Sequence, residues 1–223
     1  MFVFKNKSSV DMGVIIEEEE HFLTRASQRY LKKEIEGKNG AIFEEQGYAV
    51  VERPMKVQIL NTNKLDEILA WLDGVGMLEY NNRITKARFY NEVSPIRTAN
   101  IKIADITFIR DPFWNKKNDE YVVVENTVEN EGTVYSEPII RIEKNTSNSV
   151  DITVNDVRFK YNFNNEAYVE IDCENILVEF NKLNRNKQIE IGYKYPTLNV
   201  GENQIIVHEG DATIKIKRKD RWL

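Results

Sequence analysis

"YPTLNVGENQIIV", residues 195–207, interrupts a regular alternation of apolar and polar residues that runs on both sides of it. Pro196 has no N–H to give to a central ladder, so it marks an edge or the first residue of a strand. Gly201 supplies a turn conformation closed to most residues. Asn203 can bond its side chain to nearby backbone. The stretch therefore reads as a long, shaped corner that leads into a strand at Gln204–Val207. A corner of this kind belongs between strands that face different ways, and its neighbours decide the fold.

Outward from the corner the pattern is almost pure strand. "YVVVENTV", "EPIIRIEK", "VDITVNDVRFKYNF", "AYVEID", "ILVEFN", "QIEIGYKY" and "ATIKIKRK" follow one another from Tyr121 on, separated by "ENEGT", "NTSNS", "NFNNE", "NRNK" and "EGD". In the last strand Ile214 and Ile216 face inward and Lys215 and Lys217 face water. Many short strands with polar turns predict a β-sandwich or jelly roll, because two sheets must close over one core to bury those faces. The single cysteine, Cys173, shares a strand face with Val169 and Ile171 and reads as a small buried hydrophobe.

The first half is β-rich with one helix. "NTNKLDEILAWLDGVG" places Leu65, Ile68, Leu69 and Leu72 on one stripe with Trp71 beside it, which predicts a helix over 64–73. Asn63 is the candidate cap, and Gly74 and Gly76 the stop. "IEGKNGAIF" predicts a hairpin, Lys33–Ile35 against Ala41–Phe43, turning at Asn39-Gly40 with Gly37 nearby. "YAVVERPMKVQIL" reads as one or two strands around Pro54, and "MLEYNN", "KARFYNEV" and "NIKIADITFIRDPF" as further strands. Residues 22–35 fit a helix by spacing and an irregular strand equally well. "EEEEHF", residues 17–22, reads as a solvated charge run. The polar stretch "DPFWNKKNDE" is the candidate boundary between a domain over 1–115 and another over 116–223.

Composition excludes several classes. Of 223 residues, 41% are apolar and 30% charged, which fits a folded chain rather than a disordered one. A net charge of −5 lacks the basic surplus that grips phosphates, so specific nucleic-acid binding is not expected. No apolar run approaches the ~20 residues of a membrane span, and "MFVFKNKSSVDMG" lacks a leader's apolar core, so a cytoplasmic origin is expected. No HExxH, GxSxG, P-loop, DxDxDG or CxxC pattern occurs, and His21 and His208 sit in no recognisable motif. Neither an enzyme nor a metal or cofactor site is expected.

The order of features resembles the distal tail proteins of long-tailed bacteriophages with flexible tails. The matching pieces are "SSVDMGV", "IEGKNGAIFEEQGYAVVE", "ILAWLDGVGML", "FYNEV", "ITFIRDPF", "VENEGTVYSEPIIRI" with Pro138, "YPTLNVGENQIIV" and the terminal "RWL". The resemblance implies a galectin-like C-terminal sandwich and an N-terminal domain that joins six copies into a ring. It implies a hub between the tail tube and the baseplate or tail tip, with a lumen for DNA. The implied partners are the tube, tape-measure and tail-tip proteins, and the implied location is the virion tail, assembled in the host cytoplasm. It further implies that residues 22–35 are extended; whether the last few residues, "KDRWL", pack on the N-terminal domain is open at this point. The sandwich has no loop long enough for an inserted module. The alternative is a carbohydrate-binding module that stacks sugars on Tyr161, Phe163, Tyr168, Tyr193 and Tyr195.

Overall fold

Alternation in "VERPMKVQI" and "IKIADITFIR" builds the longest pair of strands. In the computed structural model, which describes residues 1–17 and 22–223, these segments run antiparallel from Arg110↔Val51 to Lys102↔Ile59. Pro54 sits within this strand opposite Thr107, outside the three residues that a further strand covers on the other side, so its missing N–H costs no second ladder. The chain divides into residues 1–117 with Leu223, and residues 118–222. The fold is mainly β, and among the described residues no helix is long and apolar enough to cross a membrane.

The first unit comprises β1 (Val3–Phe4), β2 (Lys7–Ser8), β3 (Val14–Ile16), β4 (Gln28–Glu34), β5 (Ala41–Tyr48), β6 (Val51–Ile59), α1 (Leu65–Trp71), β7 (Gly74–Tyr80), β8 (Arg83–Phe89), β9 (Ile96–Thr98), β10 (Ile101–Arg110) and β11 (Trp114–Lys116). Its main sheet runs β2-β1-β7-β8-β10-β6-β3, with β9 on β10 and β11 on β8. Beneath it lies an aromatic core. Phe2 stacks on Trp71 at 5.5 Å, and Phe22 stacks on Tyr80 at 5.0 Å and on Phe108 at 5.4 Å.

The helix differs in detail from its sequence pattern. It is preceded by a 3-10 turn, its first boundary is Lys64, and no side chain caps it, so Asn63 is not a cap. It ends at Leu72, while Gly74 and Gly76 open β7 instead of stopping the helix. Ile68, Trp71 and Leu72 are buried, and Leu65 and Leu69 only half-buried, so the inward stripe is centred on Trp71. Residues 22–35 are extended from Gln28 on, because β4 pairs with β5. The acidic run and His21 fall largely outside the described residues.

The second unit is a sandwich. Its strands are β12 (Val122–Val124), β13 (Thr127–Asn130), β14 (Ile139–Lys144), β15 (Ser149–Val154), β16 (Val157–Asn162), β17 (Tyr168–Asp172), β18 (Leu177–Phe180), β19 (Leu183–Asn184), β20 (Ile189–Ile191), β21 (Gly201–Glu209) and β22 (Ala212–Lys217). One sheet has the order β12-β22-β14-β17-β18-β19 and the other β13-β21-β15-β16-β20. Ile140, Ile142, Val169, Ile171, Ile214 and Ile216 from the first meet Val150, Ile152, Val154, Phe159, Tyr161 and Ile205 from the second.

The Trp71 indole N–H donates to the Phe4 carbonyl at 2.7 Å, in the same buried pocket where the ring stacks on Phe2. Trp71→Phe keeps most of the apolar volume and strands that carbonyl. The expected cost is about 1–3 kcal/mol, read as a lower midpoint in denaturant unfolding.

Candidate functional site

The corner at 195–207 is a node of buried hydrogen bonds. Leu198 enters the sandwich core, and its backbone exchanges two 2.9 Å bonds with Ser136. Leaving the ladder this way orphans polar groups that must be paired. Three asparagines do so. Asn203 is 1% exposed; its Nδ2 donates to the carbonyls of Asn199 (2.9 Å), Gly201 (2.8 Å) and Val128 (3.3 Å). Its Oδ1 accepts from the Asn199 N–H at 2.6 Å and from Asn155 Nδ2 at 2.8 Å. Asn155 also donates to the Thr197 carbonyl and accepts from the Gln204 N–H. Asn130 donates to the carbonyls of Val134 and Leu198 and accepts from the Gly132 N–H.

Gly201 takes φ +87° at the start of β21. Gly132 is required for space: a Cβ there would lie 2.3 Å from the Arg221 carbonyl oxygen. The Thr133 N–H donates to that same oxygen at 2.8 Å. Pro196 is buried in the irregular segment before β21, and Pro138 lies in extended chain before β14, its carbonyl accepting from the Cys173 N–H. The corner, the Asn130-to-Pro138 stretch and Arg221, distant in sequence, thus meet in one place.

A second feature is the β4–β5 hairpin, which forms a two-stranded sheet of its own. Its connection is a six-residue loop, 35–40, rather than a two-residue Asn-Gly turn. The Lys38 N–H bonds the Ile35 carbonyl, with Gly37 at φ +77° in the type II pattern; Gly40 is at φ +90°, and Asn39 does not take positive φ. A bulge at Gln46-Gly47 faces Arg29, with Gly47 at φ +79°. Every residue of β4 is exposed. Leu31 and Ile42 lie on one face, Tyr30 and Phe43 on the other, and the last three are each more than half exposed. The Tyr30–Phe43 edge contact at 5.2 Å and the Lys33–Glu44 ion pair at 2.8 Å join the strands.

The glycan-stacking set does not assemble. Tyr161 and Phe163 are buried and pack edge to face at 4.9 Å, because inward alternation carries them into the core. Tyr195 is packed against the same core. Tyr168 is covered by the Arg141 guanidinium at 3.7 Å, and Tyr193 alone is fully exposed. Around Arg141 the outer sheet face is closed by its own pairs: Arg141 with Glu143 and Glu170, Lys215 with Glu143, and Tyr121 donating to Glu170. Among the described residues no cluster of three or more His, Cys, Asp or Glu is placed to hold a metal. Thr153 Oγ1 and His208 Nε2 are 2.8 Å apart on an exposed surface. Cys173 is buried, and that burial pushes its thiol pKa up, away from thiolate chemistry.

Arg110 and Glu166 are two of the buried charged residues. Arg110 occupies an inward position of β10 and is 1% exposed. Its guanidinium donates to the carbonyls of Asp111, Pro112 and Thr24 and lies 5.1 Å from the Trp114 ring. Burial pulls its pKa down to about 10, so it stays cationic at neutral pH. Its Nε has no partner among the described residues. Glu166 accepts from Arg185 Nε at 2.6 Å and from the Asn164 N–H at 2.7 Å. Only the alternation of β10 placed Arg110 inward; nothing local marks Glu166.

Burial alone raises the Glu166 pKa, but its backbone and side-chain hydrogen bonds prevail and hold it below 4.5. A carboxyl depressed in the folded state adds stability above its unfolded pKa, and that stability is lost as pH falls through the folded value. Glu166→Gln is therefore expected to lower stability at neutral pH and to flatten the loss below pH 4.5, read from melting midpoints across an acid series. Asn203→Ala removes the corner's central donor and acceptor. A loss of about 3 kcal/mol is expected in denaturant unfolding, because several buried backbone groups lose their partner together.

Residues 131–222 match the family model "Siphovirus-type tail component, C-terminal domain". No curated protein matches the chain by sequence. Among solved structures, phage SPP1 Dit (gp 19.1), described as a paradigm of hub adsorption apparatus in Gram-positive infecting phages, superposes with a TM-score of 0.78 at 13% identity, over 100% of this chain and 98% of that one. Chains from the phage P2 baseplate in its activated conformation, with Ca and with Sr, align at TM-scores of 0.45 and 0.43 and identities of 11% and 10%, each over 96% of this chain and 93% of theirs, too loosely to compare parts. The corner, the Asn130-to-Pro138 stretch and Arg221 all fall in or beside residues 131–222, the part of the chain that matches the siphovirus-type tail component C-terminal domain, and the whole chain shares the fold of the SPP1 protein.

Proposed function

We propose that this chain is the structural hub of a phage tail, six copies joining through their N-terminal units into a ring between the tail tube and the baseplate or tail tip. The ring lumen passes DNA, and the tube, tape-measure and tail-tip proteins dock on the ring. The observation that carries this reading is the β4–β5 hairpin. An isolated two-stranded hairpin is marginally stable in water. This one exposes Tyr30, Leu31, Ile42 and Phe43 on two faces, and among the described residues no further strand pairs with either outer edge. Apolar patches and bare edges of this kind mark contacts with another chain.

A second copy of the same chain is the partner that supports closure. A head-to-tail contact between non-identical surfaces repeats around an axis and closes when its rotation divides the circle. The likeness of the fold to the SPP1 protein supports the hub role. A net charge of −5 also suits a conduit that must not hold phosphates.

Native mass spectrometry and negative-stain imaging of the purified chain test the reading. A six-fold particle with a central hole is the expected result, and a strict monomer at high concentration counts against it. The double variant Tyr30→Glu/Phe43→Glu places charges on one hairpin face. It is expected to keep the circular dichroism spectrum and unfolding midpoint of the parent and to shift its mass to the monomer. A variant that still forms the full ring would remove the hairpin from the contact.

A further inference from the structure

We propose that Asn39 is a site of spontaneous deamidation that converts the hairpin tip from an amide to a carboxylate. Asn39-Gly40 is the one Asn-Gly pair in the chain. The reaction needs the backbone nitrogen of the following residue to reach the asparagine Cγ, so it needs a following residue without bulk and a backbone free to turn. Both residues lie in the exposed loop between β4 and β5. A Cβ at Gly40 would meet nothing within 4 Å. Neither Asn39 nor Gly40 makes a hydrogen bond among the described residues.

The step is balanced by water alone. The Gly40 nitrogen gives up its proton to solvent base and bonds to Asn39 Cγ, and the side-chain nitrogen leaves as ammonia. Water then opens the five-membered imide. Cleavage of the bond to Cγ gives aspartate, and cleavage of the bond to the backbone carbonyl carbon gives isoaspartate, whose main chain runs through Cβ and Cγ. Either product takes the net charge from −5 to −6, one carboxylate being added.

Comparable pairs elsewhere are held. Asn148-Ser149 has the Asn148 Oδ1 accepting from Lys144 Nζ at 2.6 Å, its carbonyl accepting from the Phe163 N–H at 2.8 Å, and Ser149 in β15 opposite Asn162. Asp73-Gly74, which uses the same imide, has Gly74 in β7 opposite Phe89. The tip is therefore the place where the fold leaves this chemistry open. The new charge lies beside Ile35 and Ile42, in the hairpin that the ring reading places between copies. Reduced assembly of the modified chain rests on that reading; the modification itself does not.

The test incubates the full chain at mildly alkaline pH, folded and in urea, and maps peptides by mass and by separation of aspartyl from isoaspartyl forms. Asn39 is expected to convert in the folded chain within about threefold of its rate in urea, while Asn148 is slowed by about tenfold or more, since protection scales with the free energy of local opening. Asn39→Gln is expected to abolish the acidic species in isoelectric focusing. Slowing of Asn39 by tenfold or more on folding overturns the proposal, as does an acidic species that persists in Asn39→Gln. Separated aspartyl and amide forms, compared by native mass, then report the effect on assembly independently.

Discussion

A buried backbone that leaves the ladder must have its polar groups paired, and the node around Asn203 meets that demand for the sandwich. β20 and β21 belong to one sheet, yet the chain between them dips Leu198 into the core. That dip fills space between the sheets and exposes backbone donors and acceptors to an apolar interior. Asparagine suits the task because its short amide both gives and takes hydrogen bonds without a charge to desolvate. Asn203 reaches three carbonyls and an N–H, and Asn155 and Asn130 extend the set. The same requirement fixes Gly132, since the Arg221 backbone stands where a Cβ would be.

The two units solve burial differently. The first builds its core from rings: Trp71 stacks on Phe2, Phe2 meets Phe22, and Phe22 stacks on both Tyr80 and Phe108, while Arg110 is tolerated at the border because three carbonyls and the Trp114 face meet the guanidinium. The second uses β-branched aliphatics in period-two strands, sets a network of paired charges on one outer sheet face, and buries Glu166 with Arg185 as its partner. The paired charges around Arg141 leave little there to bind a ligand, since an incoming group must first displace Arg141 from Tyr168 or from its carboxylates.

Much of this was legible in the residues, and the limits have physical causes. Strict alternation marks the strands of the sandwich, and it also places Tyr161 and Phe163 inward, although aromatic identity alone had suggested a sugar platform. The helix was legible from its stripe, but its cap was not: a preceding 3-10 turn satisfies the first residues without Asn63. The hairpin was legible and its turn was not, because Gly37 competes with Gly40 for the left-handed position and the loop lengthens to use both. Glu166 left no local sign, since its partner Arg185 is nineteen residues away, with β17 to β19 between them in the chain.

These differences bear on how two chains at 13% identity share a fold over their whole length. A half-buried strand asks only that its inward residues be apolar and of roughly the right volume, and many sequences meet that condition. A corner that buries irregular backbone asks for a particular amide, a particular missing Cβ or a particular missing N–H. Substitution is therefore cheap along Ile140–Ile142 or Ile214–Ile216 and costly at Gly132, Asn203 or Gly201. Short motifs that are individually common become informative when they mark successive parts of one hydrogen-bonded node, because the node requires them together and in a fixed order along the chain.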